Sequence, residues 1–245
     1  MYCSLNIKKD MKVKNEGNMY EGFQTWNPLA GECPHKCQYC STHNLKKRFP
    51  AINAKYSGEL RLDEKAMNKS LGKGNTIFVV AQNDLFADVV PEEFIIKIID
   101  RCKQFPENEY FFQSKNPGRI IDFYNEMESL NPTICTTIES NLFYEEYMGN
   151  TPKIAERIKA MAILRNDFHT AITIEPIIDF DLKHLVDIIR FARPDYVNIG
   201  ADSKNNNLPE PSKEKVLALI NELQRFTVIR RKTNLSRLLI ERYGK

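Results

Sequence analysis

The residues best equipped for chemistry are Cys33-Pro34-His35-Lys36-Cys37-Gln38-Tyr39-Cys40, which set three cysteines in the spacing C-x3-C-x2-C. A structural zinc or a fully protein-ligated iron-sulfur cluster takes four ligands, and two-cluster ferredoxins show a fourth cysteine a few residues on, followed by proline. Here no fourth cysteine follows nearby. Three thiolates leave one iron of a 4Fe-4S cluster without a protein ligand, and an open iron can bind a substrate or cofactor. The alternative is a zinc site that borrows His35 or His43 as its fourth ligand.

The rest of the chain must hold that loop. With 245 residues, 42% of them hydrophobic and 27% charged, it can bury one sizeable core. Residues 1–18 read as a Lys-rich arm, residues 20–26 as a first strand that delivers the cysteine loop, and the stretch after Cys40 as a basic helix with Lys46, Lys47 and Arg48. A short helix is expected over 63–71. From there strands are expected at 76–81, 109–113, 133–138, 170–174 and 196–199. Helices at 91–105, 118–130, 152–164 (capped by Thr151), 181–192 and 212–226 (capped by Ser212) separate and follow them. Six β-α units in series imply an α/β fold with a parallel sheet and right-handed crossovers. One domain is the simplest organisation: β-α units over 19–226, as a partial barrel or an open doubly wound sheet between which periodicity alone does not decide, followed by a basic extension at 227–245.

The strands mix polar and apolar residues in alternation. In 133–139, Ile134 and Ile138 share one face and Cys135, Thr137 and Glu139 the other; in 171–175, Thr173 and Glu175 oppose Ile172 and Ile174. Apolar residues outward and polar residues inward suggest a lumen that holds a polar ligand. Chemistry in parallel α/β folds collects at the C-terminal strand ends. Those ends read Gln82-Asn83-Asp84, Ser114-Lys115-Asn116, Glu139-Ser140-Asn141 and Glu175-Pro176, with Asp202 after the sixth strand.

The cysteine spacing, with Tyr39 just before its last member, resembles the signature of the radical S-adenosylmethionine (SAM) superfamily. The resemblance implies a six-unit partial TIM barrel. It also implies that Cys33, Cys37 and Cys40 hold a 4Fe-4S cluster whose open iron is chelated by the amino and carboxylate groups of SAM. An electron, supplied by a donor such as a flavodoxin or ferredoxin, then cleaves SAM to methionine and a 5'-deoxyadenosyl radical that abstracts hydrogen from a substrate. By the same resemblance Tyr39 lies near the adenine, Asn83 or Asp84 stands where the family has Gly-Gly-Glu for the methionine amine, and Lys115 faces the SAM carboxylate. Glu139, Ser140 and Asn141 serve the ribose hydroxyls, and Glu175 sets a carboxylate at the barrel mouth.

Trp26-Asn27-Pro28, the cysteine loop and Ile174-Glu175-Pro176-Ile177 resemble a phage- and prophage-associated radical SAM family. The succession Glu139-Ser140-Asn141, Thr151-Pro152, Glu156-Arg157-Ile158-Lys159-Ala160 and Pro176-Ile177 is similar to spore photoproduct lyase, which implies a nucleotide or nucleic-acid substrate. That family carries a hydrogen-donating cysteine where this chain has Ala81 or Gln82; Cys135 on the inward face is an alternative donor, or a small core residue.

The net charge of +3 is too small to decide for or against nucleic acid. Arg225, Arg230, Arg231, Lys232, Arg237 and Arg242 gather near the C-terminus against Glu241, either as a solvated surface or as a phosphate-binding one. Arg157 and Arg165 read as solvated or paired residues outside the barrel, and His169 and His184 as surface or packing residues. No apolar run is long enough to span a membrane and no signal-peptide core opens the chain, so a cytoplasmic location is expected. The rival classes are a zinc-containing nucleic-acid-binding protein and a non-catalytic iron-sulfur accessory protein of phage.

Overall fold

The computed structural model describes residues 16, 17 and 20–240. The arm expected over 1–18 (apart from 16 and 17), Cys3, Glu241 and Arg242 lie outside the described residues.

Seven parallel strands form one curled sheet in sequential order: β1 (Phe23–Trp26), β2 (Thr76–Val79), β3 (Glu109–Gln113), β4 (Thr133–Thr137), β5 (His169–Ile174), β6 (Tyr196–Ile199) and β7 (Val228–Lys232). A two-residue strand, Glu16–Gly17, pairs with Arg231 and Lys232 beyond β7. Sequential order is what right-handed β-α units produce when each lands beside its predecessor, and the accumulated twist curls the sheet into a half barrel. The six-unit partial barrel holds, with one strand more than expected. Val228–Lys232, expected to begin a basic extension, instead continues the sheet in register with Tyr196–Ile199.

Helices cover the outer face. After the cysteine loop come α1 (Ser41–Arg48) and α2 (Pro50–Lys55); then α3 (Glu92–Lys103), α4 (Ile154–Leu164), α5 (Leu182–Ala192) and α6 (Lys213–Leu223) alternate with strands. The link from β3 to β4 is a 3-10 segment, Pro117–Phe123, that runs into a short helix, Tyr124–Glu128. Asp181 and Ser212 cap α5 and α6 by accepting the backbone N–H of His184 and Lys215. Thr151 does not cap α4. Lys153 holds the cap position, its N–H donates to the Glu156 carboxylate, and the Thr151 hydroxyl accepts from Arg157.

Side-chain alternation separates two cores. Ile134, Ile138, Ile172 and Ile174 face the helices in the main hydrophobic core, against residues such as Ile158, Leu185 and Ile189. Inside the curl, Phe78, Phe111, Cys135, Ala171 and Tyr196 form a smaller cluster, with Tyr20 and Phe23 packed against it. Above that floor the lumen is polar: Tyr20 Oη donates to Gln113 (2.6 Å), Gln113 to Thr137 (3.1 Å) and Asn198 to Thr173 (3.1 Å). No helix among the described residues is long and apolar enough to cross a membrane.

Candidate functional site

The cysteine loop is fixed by backbone on three sides. Before it, Leu29–Ala30 pairs antiparallel with Arg61–Leu62. At Gly31 (φ +99°) a Cβ would sit 2.4 Å from the Glu59 carbonyl oxygen, so only glycine permits that approach. After β4, a single helical turn, Glu145–Met148, brings its end against the loop: Gln38 N donates to Tyr147 O (3.0 Å) and Asn150 N to His35 O (2.7 Å). Gly149 there has φ +63°, and a Cβ would lie 2.2 Å from the His35 carbonyl oxygen. Gly149→Ala must therefore displace the cysteine loop or strain itself. The expected cost is about 2 kcal/mol or more, read as a lower denaturation midpoint, together with reduced iron uptake on anaerobic reconstitution.

Side chains complete the anchorage through Asp84, at the end of β2 and buried. Its carboxylate accepts from the Ser114 hydroxyl (2.7 Å), Lys115 N (2.7 Å) and Phe86 N (3.0 Å), and pairs with His35 Nε2 at 2.8 Å. Burial disfavours its ionised form, but the bonds and charge of His35 and the other donors outweigh it and hold the carboxyl below its ordinary value. His35 Nδ1 meets the Asn150 carbonyl at 3.0 Å. Both ring nitrogens of His35 are thus engaged, which removes it as the fourth zinc ligand of the alternative reading. No three His, Cys, Asp or Glu side chains among the described residues converge on one metal-ion position. Cysteines of a cluster need not converge in that way, since each binds a different iron.

A second buried network starts at Glu139, whose carboxylate is fully buried. Oε2 accepts from Arg157 Nη1 at 3.0 Å, and Oε1 accepts from Lys115 Nζ and from the Tyr39 hydroxyl. Lys115 Nζ also donates to Tyr39 Oη (2.6 Å). Burial opposes the charge on Glu139, yet Lys115 and Arg157 prevail and hold the carboxyl at about 2. Burial and the same carboxylate push the Tyr39 phenol well above its usual range, so it stays a donor. Arg157, expected outside the barrel as solvated or paired, is fully buried and paired, and its guanidinium also donates to the carbonyls of Pro152 and Thr137.

These networks surround a cavity of about 290 Å³ at the C-terminal mouth of the half barrel. Cys33, Cys37, Cys40, Tyr39, Asn83, Lys115 and Glu175 line it, as do Ala81, Gln82 and Asp202. All five described cysteines are free of disulfides, and the three of the loop open into this one space. Their donor set fits three irons of a cluster. Burial, with the Asp84 charge, pushes the Cys33 thiol up to about 12, so metal binding there must displace a proton.

Several expected site residues do not reach the cavity. Cys135 lies inward as expected but on the floor, sealed among Phe78, Phe111, Ala171 and Tyr196; burial pushes its thiol up to about 12. Glu139 turns its carboxylate into the ion network with Lys115, Arg157 and Tyr39. The Ser140 hydroxyl donates to Asp179 O (2.6 Å) and accepts from Leu142 N (3.0 Å). Asn141 meets His184 (3.1 Å) and accepts from Asp181 N (2.9 Å), tying its loop to α5. Asn83 does line the cavity, but its amide donates to Gly31 O (3.0 Å) and accepts from Asp84 N (2.9 Å).

Lys232 was missed. It reaches from β7 into the cavity and pairs with Glu175, while Arg230, one step deeper, lies 3.2 Å from the centroid of the Tyr196 ring. Arg237 pairs with Glu210 and Arg225 with Glu222. Lys232 and Arg230 are therefore turned into the molecule, whereas Arg225 and Arg237 stay exposed and make surface pairs. The signal that could have located them is the period-two alternation of Arg230 and Lys232 after Val228.

The family model described as "Protein of unknown function (DUF5131)" matches residues 21–213. The chain belongs to the DUF5131 family. No curated protein matches it. Among solved structures, this DUF5131 protein is similar to spore photoproduct lyase complexed with dinucleoside spore photoproduct (TM-score 0.58, 11% identity, 84% of this chain and 76% of that one). It is also similar to Streptococcus suis SuiB bound to precursor peptide SuiA (0.54, 11%, 94% and 57%) and to anSMEcpe with bound AdoMet and Cp18Cys peptide (0.52, 11%, 85% and 63%). At these identities the likeness is one of fold, the curled parallel half barrel. The resemblance to a phage-associated family finds no support in these matches.

Proposed function

We propose that this DUF5131 protein is a cytoplasmic radical SAM enzyme in which Cys33, Cys37 and Cys40 hold a 4Fe-4S cluster with SAM on the open iron. One observation carries the reading: the three loop thiols open together into a cavity at the strand ends of a half barrel, the fold it shares with structures that bind AdoMet. When bound, such a cluster supplies the electron, taken from a flavodoxin- or ferredoxin-like donor, that cleaves SAM to methionine and a 5'-deoxyadenosyl radical.

The chain's own residues position and shield. Lys115 has three N–H donors; Glu139 and Tyr39 take two, which leaves the third to meet the SAM carboxylate in the cavity. Tyr39, fixed by the same network, presents its ring beside the cysteines, on the side assigned to adenine. Glu175 and Lys232 form a neutral pair across the cavity and offer an acceptor and a donor to a polar substrate. The packed floor of Phe78, Phe111 and Tyr196 closes the barrel from below and limits access of water to the reacting atoms. The substrate in this reading is a nucleotide or nucleic acid, as the similarity to spore photoproduct lyase suggests.

Anaerobic reconstitution tests the reading. About four irons per chain, a brown protein, and 5'-deoxyadenosine formed on adding dithionite and SAM are expected, with product lost in Cys37→Ala. A colourless, zinc-loaded protein that forms no product would sink it.

A further inference from the structure

The cations of this protein are distributed unevenly between paired and unpaired. Those that face the cavity from the strands are neutralised: Lys115 by Glu139 and Lys232 by Glu175. On the rim the pattern reverses for all but Lys55, which pairs with Asp63. Residues 33–58, which make up the cysteine loop, α1 and α2, hold no Asp or Glu. Lys36, Lys46, Lys47 and Arg48 form no ion pair among the described residues; Lys46 donates only to the Tyr56 carbonyl (3.0 Å), and Arg48 lies 5.4 Å from the centroid of the Phe49 ring. Lys36, Lys47 and Arg48 are exposed, and Lys36 and Lys46 also line the cavity. Phe49, 46% exposed, ends this row as a large apolar ring in water.

We propose that this rim, Lys36 to Phe49, binds the backbone of single-stranded nucleic acid and leads one nucleotide into the cavity. Four cations with no acidic partner among the described residues, gathered on the cysteine loop and the last turn of α1, suit the phosphates of a strand. Phe49, with Arg48 beside it, offers a stacking platform for a base, which polyglutamate, having no ring, cannot use. A base paired in a duplex cannot reach a cavity that holds the cysteines, whereas a base in a single strand can enter it. The inference concerns binding and does not depend on iron loading, so it can fail while the cluster reading stands, or survive if that reading falls.

Fluorescence anisotropy with a labelled 12-mer DNA of mixed sequence tests it on the full chain, with the matching duplex and a polyglutamate peptide as competitors. The single strand is expected to bind at about 50 mM salt and weaken steeply by about 200 mM. The triple variant Lys46→Ala, Lys47→Ala, Arg48→Ala should bind at least tenfold more weakly, with a log–log salt slope shallower by about 2, since each phosphate neutralised on a single strand accounts for about 0.7. Phe49→Ala should lose about tenfold with the slope unchanged. Lys183→Ala, on an exposed lysine of α5, serves as control and should bind as the parent does. Melting curves establish that each variant folds, and Lys47→Glu supplies a single-site version if the triple variant does not. Equal binding by parent and charge variants, or competition by duplex or polyglutamate as effective as by the unlabelled strand, would overturn the proposal.

Discussion

Glu139→Gln is expected to destabilise the protein by about 3 kcal/mol at pH 7, because it removes one anion that two buried cations share. Glutamine keeps the shape but leaves fully buried Arg157 and largely buried Lys115 with a neutral partner. The acid side of the pH profile carries the same signature. The Glu139 carboxyl sits at about 2 in the folded protein against an ordinary value of 4.5. Between those values the unfolded chain binds the extra proton, so stability rises with pH. The contribution is fully present above about pH 5, falls as pH drops through that window, and is gone below about 2; the size of the shift corresponds to about 3 kcal/mol. Urea denaturation at about pH 7, 5 and 3 should show the parent losing stability on this account and Glu139→Gln lacking that part of the loss. A variant within about 1 kcal/mol of the parent at pH 7 would mean that the network is solvated and the carboxylate is not the hub described. Since Tyr39 belongs to the network, the variant should also take up less iron.

Asp84→Ala is expected to be at least as damaging, by a different route. It orphans Ser114 Oγ, Lys115 N and Phe86 N and strips His35 of its carboxylate, all in a buried pocket. Losses of about 1 kcal/mol or more for each orphaned donor sum to roughly 3–5 kcal/mol. The second consequence is local, since His35 sits inside the cysteine spacing and Asp84 is what ties it to the barrel. Iron retained after reconstitution should fall by more than half, even at temperatures where the variant stays folded by circular dichroism. Asp84→Asn keeps an acceptor for two of the donors and should fall between the two. Full iron content in a folded Asp84→Ala would show that the backbone hydrogen bonds at Gln38 and Asn150 hold the loop unaided.

The elements that local chemistry dictates were readable. Period-two alternation placed six strands and separated Ile134, Ile138, Ile172 and Ile174 from the lumen. Asp181 and Ser212 announced the starts of α5 and α6, because a cap is an interaction within one turn. The cysteine loop stood out by spacing alone. Val228–Lys232 did not read as a strand because two of its alternate positions are charged, and a charged strand is stable only where partners wait inside. Those partners, Tyr196 and Glu175, lie 34 and 57 residues away in sequence. Thr151 failed as a cap for a similar reason: Arg157, six residues on, claims its hydroxyl.

Sequence by itself therefore determined six of the seven strands, most of the helices between them, a parallel sheet with polar residues inward, and the three cysteines of one loop, since spacing, periodicity and capping act over a few residues. Only the tertiary structure decided which polar groups face the cavity and which face each other. Glu139 is consumed by Lys115, Arg157 and Tyr39; Asp84 by His35 and Ser114; Lys232 by Glu175, and Arg230 by the ring of Tyr196. A buried charge takes whatever partner the fold brings to it, because leaving it unpaired costs several kcal/mol. That choice is made through space, by strands that the chain brings together only when the sheet has curled.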